Sequence, residues 1–201
     1  MICLSCAIDM PRTHICSDAD ANEVLRRAAS TTPLFRGASY FYYQKNSPYA
    51  RLIQRAKYNG RPDIDRHLAR RFALEILPSG FFSGIDAIVP VPIHFLKRLS
   101  RGYNQSYHIA LGLSDATGIA VSQCLKARRP HASQTRLSPF DRWRNTRHTF
   151  RAVSGINPSH ILIVDDVLTT GATLTACAQA IHAAYPNTRI SILTLALAAH
   201  S

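Results

Sequence analysis

At 201 residues the chain is long enough for one sizeable core with a small appendage, and its 46% hydrophobic content is that of an ordinary folded protein. Lys and Arg number 24 against 12 Asp and Glu, and the formal charge of +12 favours phosphate-bearing partners through counterion release. No run approaches the roughly 18 consecutive apolar residues that a membrane span needs, and no apolar signal-peptide core opens the chain, so a cytoplasmic location is expected.

Residues 1–37 lack strong periodicity and read as a small segment distinct from a main domain over 38–201. Five cysteines, an odd number without a secretion signal, argue against a disulfide framework and for metal ligands or buried thiols. Cys3-x-x-Cys6 and Cys16 fit three ligands of a tetrahedral Zn²⁺ site, with His14 or Asp18 as the fourth. A complete second C-x-x-C pair would put a cysteine where Ala19 stands, so a degenerate, metal-free remnant is the competing reading. Cys124 and Cys177 read as core thiols.

Residues 38–43, ASYFYY, predict an aromatic strand. A short helix is expected from Pro48 to Lys57, and after the break at Gly60 to Pro62 a longer one with Ile64, Leu68, Phe72 and Ile76 on one face. Ile85 to Val91 reads as a strand whose pairing must stop or turn at Pro90 and Pro92. Asn104 to Thr117 predicts a helix closed by Gly118, and a short strand follows near Ile119 to Val121. Lys126 to Arg147 is basic and aperiodic, and is expected to supply a loop over the site. Further strands are expected at Phe150 to Val153, Ile161 to Val164 and Ile190 to Ala198. Alternating strands and helices argue for an α/β fold with a Rossmann-like parallel sheet.

The most informative stretch is Ile161 to Leu174. A buried apolar strand ends in two carboxylates, Asp165 and Asp166, at the end of the strand where open α/β sheets bind ligands. Thr169, Thr170, Gly171, Ala172 and Thr173 then lead into the helical spacing Leu174, Cys177, Ala178, Ile181. Such a turn at a helix start directs N–H groups and hydroxyls at an anion, while the acids accept from sugar hydroxyls or hold the water shell of a Mg²⁺ ion. A ribose 5-phosphate suits this pairing of functions.

This loop resembles the ribose-phosphate loop of type I phosphoribosyltransferases. The segment Val89-Pro90-Val91-Pro92 followed by Arg101-Gly102-Tyr103-Asn104-Gln105 is similar to the signature of the ComF family of competence proteins, and two further stretches agree. One is Leu52 to Gly60 with its Lys57-Tyr58, the other Gln134 to Phe150 with Leu137, Ser138, Arg142 and Asn145. With the Cys3-x-x-Cys6 start, the resemblance covers nearly the whole chain. It implies a type I phosphoribosyltransferase fold that binds phosphoribosyl pyrophosphate with Mg²⁺, Asp165 and Asp166 on the ribose, and Arg98 and Arg101 at the pyrophosphate. Gly102 beside Arg101 permits close backbone approach. Purine-salvage members carry an Asp immediately before the Thr-Gly, where this chain has Thr169, so purine salvage is not expected and the acceptor is left open. The resemblance equally allows a non-catalytic factor of DNA uptake in natural transformation, meeting single-stranded DNA or a helicase, or a purely structural adaptor.

Overall fold

Branched apolar residues set the centre of the sheet. The computed structural model describes residues 8–18, 22–28, 32–93, 102–127, 149–153 and 158–199. Its strands are β1 (Arg12–Asp18), β2 (Arg36–Tyr43), β3 (Ala87–Pro90), β4 (Ala120–Val121), β5 (Leu125–Ala127), β6 (Phe150–Ala152), β7 (His160–Leu168) and β8 (Arg189–Ala198). Its helices are α1 (Glu23–Arg27), α2 (Pro48–Tyr58), α3 (Pro62–Ile76), α4 (Gln105–Thr117) and α5 (Ala172–Ala184). Six strands make one sheet in the order β1-β2-β8-β7-β3-β4, in which β1 alone is antiparallel to its neighbour. β5 and β6 form a separate antiparallel ribbon.

Helices cover both faces of this sheet. On one face α2, α3 and α4 bury Tyr49, Ile53, Leu68, Phe72, Ile109 and Leu113 against Leu162, Val164 and Leu193. On the other, α1 and α5 bury Val24, Leu25, Leu174, Cys177 and Ile181 against Ile161, Ile163 and Ile192. Cys124 and Cys177 are free, buried thiols of this second core. Because both faces are covered, β7 and β8 are buried along most of their length instead of alternating between buried and exposed. The α/β parallel-sheet expectation is met, and among the described residues no helix is long and apolar enough to cross a membrane.

Three local differences from the sequence expectation have physical causes. Within residues 1–37 the chain forms β1 on the sheet edge and α1 on its face, and Met10 joins the first core. A bulge between Arg12 and Ile15, with His14 at φ 56°, breaks the period-2 pattern that would have announced β1. Third, β7 runs past Val164 to Leu168, because its pairing with β8 continues through Val167↔Ala196 and Leu168↔Leu197 after β3 has ended.

Candidate functional site

The direction in which the chain adds strands to the sheet reverses between the parallel neighbours β3 and β7. From β3 the chain crosses by α4 outward to β4, and from β7 it crosses by α5 toward β8, over opposite faces. A crevice opens at such a switch point beyond the C-terminal strand ends. Here β3 stops at Pro90, and Val91 N makes a last bond to Val164 O at 3.0 Å. Among the described residues β7 continues with its β3-side edge unpaired beyond that bond, and the acids stand on this stretch. The resulting cleft of about 360 Å³ is lined by Asp165, Asp166, Ala172 and Thr173 together with the starts of α4 and the loop after β3.

The two helix starts differ in how they are closed. Asn104 gives no side-chain cap to α4 and instead donates from Nδ2 to Val91 O at 3.0 Å, tying the start of α4 to the end of β3. Ser106, on the first turn, donates from Oγ to Asp165 Oδ1 at 2.8 Å. At α5 the capping residue is Gly171 in the left-handed region, φ 78°, with no side-chain cap. Its first N–H groups are therefore left to an acceptor from outside the helix. Thr169, Thr170, Ala172 and Thr173 are exposed around it.

Gly171 is needed for a reason the sequence does not disclose. A Cβ there would lie 2.3 Å from Arg27 O and 2.8 Å from Arg27 C, so the end of α1 rests directly on the turn. Thr175 Oγ1 fixes this contact by donating to Ala28 O at 3.0 Å, and the Arg27 guanidinium bonds Ala198 O and pairs with Glu23. The N-terminal segment thus forms one wall of the candidate phosphate turn.

A cation and a third acid complete the cluster. Lys57 sits in the last turn of α2, where the helix dipole favours a positive charge, and its Nζ pairs with Asp166 Oδ2 at 2.8 Å. After the turn at Gly60, Asp65 lies in the first turns of α3, fully buried. Asp65 Oδ2 accepts a long bond of 3.5 Å from Gln105 Nε2, and Oδ1 has no partner among the described residues. Burial, and then the neighbouring Asp166 charge, push the Asp65 carboxyl up to about 8, against the bond from Gln105. Asp165 is raised by the same two causes in the same order, against the bonds from Ser106 Oγ and Asp166 N.

The structure therefore brings Asp165, Asp166, Ala172 and Thr173 to one cleft, whereas Thr169, Thr170 and Gly171 stand in the turn just before α5 and are not part of its lining. Arg98 and Arg101 lie outside the described residues, as do Cys3, Cys6 and most of the basic segment Lys126 to Arg147. Cys16 is a half-buried thiol packed against the first core, and His14 is exposed at the β1 bulge. Sequence reasoning gave no role to Lys57, Asp65 or Ser106. Lys57 and Ser106 do stand in or beside stretches that carry the family resemblance, whereas Asp65 is signalled only by being an acid on the apolar side of a helix.

The chain is similar to several known proteins. Residues 68–201 match the phosphoribosyl transferase domain. The chain is 31% identical over 182 residues to DNA utilization protein YhgH of Escherichia coli (strain K12), covering 89% of this chain and 76% of that protein. It is 35% identical over 136 residues to DNA utilization protein YhgH of Salmonella typhi and 34% identical over 134 residues to Competence protein F of Haemophilus influenzae. The match takes in 66% of this chain for the first and 63% for the second, but spans only 60% and 58% of those relatives' own lengths. Among solved structures, the glutamine phosphoribosylpyrophosphate amidotransferase of B. subtilis matches 70% of this chain and 30% of its own at TM-score 0.47 and 21% identity. The domain match over 68–201 and relatives of this similarity show that the chain belongs to the phosphoribosyl transferase domain family, within the ComF group of competence proteins.

Proposed function

We propose that the protein binds phosphoribosyl pyrophosphate and ribose 5-phosphate with Mg²⁺ and acts as a cytoplasmic phosphoribosyltransferase. The observation that carries this reading is the start of α5, without a side-chain cap, beside two acids on the stretch of β7 that runs beyond β3. The helix start would hold the 5-phosphate. Asp165 and Asp166 would accept from the ribose hydroxyls, hold the water shell of the metal and offset positive charge developing on the ring. Arg98 and Arg101, close in sequence to the end of β3, would neutralise the departing pyrophosphate. The experiment is thermal unfolding with and without phosphoribosyl pyrophosphate and Mg²⁺. A ligand at ~100 times its dissociation constant should add about 2.7 kcal/mol to stability, and the double variant Asp165→Asn, Asp166→Asn should lose most of that gain. An unchanged melting temperature at saturating concentrations would refute the reading.

Two companion proposals complete it. The excess charge of +12, and an exposed face of α2 that presents Arg51, Arg55 and Tyr58, support binding of single-stranded DNA, and relatives are named for DNA utilization and competence. In that role the protein would serve DNA uptake with a helicase as partner. Affinity should then fall steeply between low and physiological salt, and a flat salt profile would count against it. A single Zn²⁺ on Cys3, Cys6, Cys16 and either His14 or Asp18 is supported by ligand spacing and by the free, half-buried Cys16. Elemental analysis of protein made in zinc-supplemented medium should find up to one zinc per chain, and none would sink this proposal.

A further inference from the structure

Each acid of the pair has one oxygen held by the protein itself. Asp165 Oδ1 accepts from Ser106 Oγ at 2.8 Å and from Asp166 N at 2.9 Å, and Asp166 Oδ1 accepts from Val167 N at 2.6 Å. Among the described residues, Asp165 Oδ2 is left for a ligand, and Asp166 Oδ2 carries Lys57 Nζ at 2.8 Å. Lys57 and both acids line the cleft together. The side chains of Lys57 and Asp166 are only 21% and 12% exposed, so little water surrounds the pair.

Lys57 changes what the acids offer. Two carboxylates accept hydrogen bonds and donate none, whereas an ammonium brings three donors, of which Asp166 takes one. A sugar hydroxyl both donates and accepts. One that donates to Asp166 Oδ2 has a donor for its own oxygen in the same ammonium, while its neighbour donates to Asp165 Oδ2. A methylene in place of either hydroxyl satisfies neither partner and leaves a poorly solvated ion pair against a C–H bond, which is where polar sites discriminate most strongly.

We propose that Lys57, paired with Asp166, is a specificity-determining residue that makes this cleft select a vicinal diol, and so ribose phosphates over 2-deoxyribose phosphates. The inference rests on the sugar-phosphate reading of the cleft given above. If Lys57 served only to neutralise Asp166, its loss would weaken both sugars alike. Reading the diol predicts instead that the ratio of the two affinities collapses.

The test is calorimetry in metal-free buffer with ribose 5-phosphate and 2-deoxyribose 5-phosphate, on the wild type and on Lys57→Met and Lys57→Gln, each checked for folding by circular dichroism. The wild type should prefer the ribose by about tenfold or more, the scale of one hydrogen bond to a charged group. Lys57→Met should bring the two within about threefold, and Lys57→Gln, which keeps an N–H donor, should fall between. If Lys57→Met does not fold, the intermediate ratio of Lys57→Gln decides alone. A folded variant that keeps the wild-type ratio, or a wild type that binds both sugars equally, overturns the role of Lys57 while the sugar-phosphate reading stands. Binding of neither sugar by the wild type overturns that reading and this inference with it.

Discussion

Gly171→Val is expected to abolish binding of ribose 5-phosphate and to destabilise the fold at the same time. The residue holds φ 78°, and the first side-chain carbon alone would meet the Arg27 carbonyl oxygen at 2.3 Å. A β-branched side chain is strained at such a φ, and neither the turn nor the end of α1 has room to take it. Relief by moving α1 would break the bond from Thr175 to Ala28 and open the second core at Val24 and Leu25. The cost should be about 3 kcal/mol, the sum of a strained conformation and overpacking. Because the same turn presents the N–H groups of α5, the affinity for ribose 5-phosphate should drop at least about a hundredfold, the loss of two charge-assisted bonds. Calorimetry on variant that circular dichroism shows to be folded checks this. Undiminished binding would show that the phosphate does not sit on this turn.

Asp65→Asn should act in the opposite direction and make the protein more stable at alkaline pH. With a folded-state value of about 8 against 3.8 in the unfolded chain, the native carboxyl keeps a proton that the unfolded chain gives up. The stability this provides is present in full below pH 4 and is lost as pH rises through the window from about 4 to about 8. An amide keeps an acceptor for Gln105 and carries no charge, so it escapes the loss. At pH 8 the variant should exceed the wild type by on the order of 5 kcal/mol, and near pH 4 the two should agree. His160, buried at the opposite strand end and lowered to about 4 by burial first and by Arg189 and Arg36 next, works the other way. Its stabilising effect is complete above pH 6.5 and fades toward pH 4, equally in both proteins, so the difference between their urea midpoints isolates Asp65. A difference that does not vary with pH would mean that Asp65 is not held protonated.

The elements that could be read from the chain are those whose signal is local. Ile161 to Val164, the two acids and the Thr-Gly turn are contiguous, so one strand end and one helix start announced the site. Gly118 at φ 73° closed α4 where the sequence said it would, whereas α3 opens at Pro62, a residue of the break expected before it. Lys57 and Asp65 were opaque because their chemistry comes from a packing partner, and Ser106 meets Asp165 across 59 residues of chain. No periodicity carries such a contact. Helix α1 is five residues long, less than two turns, and its start is marked only by Asn22, whose side chain accepts from Val24 N and Leu25 N. The extra length of β7 was hidden because the acids interrupt its apolar run while β8 continues to supply backbone partners.

The position of β8 has a consequence for how the protein is made. β8 lies inside the sheet, hydrogen-bonded to β2 on one side and to β7 on the other, although it is the last of these strands to leave the ribosome. Until Arg189 to Ala198 have emerged, β1 and β2 are an isolated hairpin-like pair, the edge of β7 toward β8 is bare, and α1 has no Ala198 carbonyl for Arg27. The nascent chain must therefore hold aromatic and branched segments in a state that exposes strand edges, and commit them only once β8 is available. Truncation within β8 should yield insoluble protein, whereas a released chain that includes Ala198 can close the sheet.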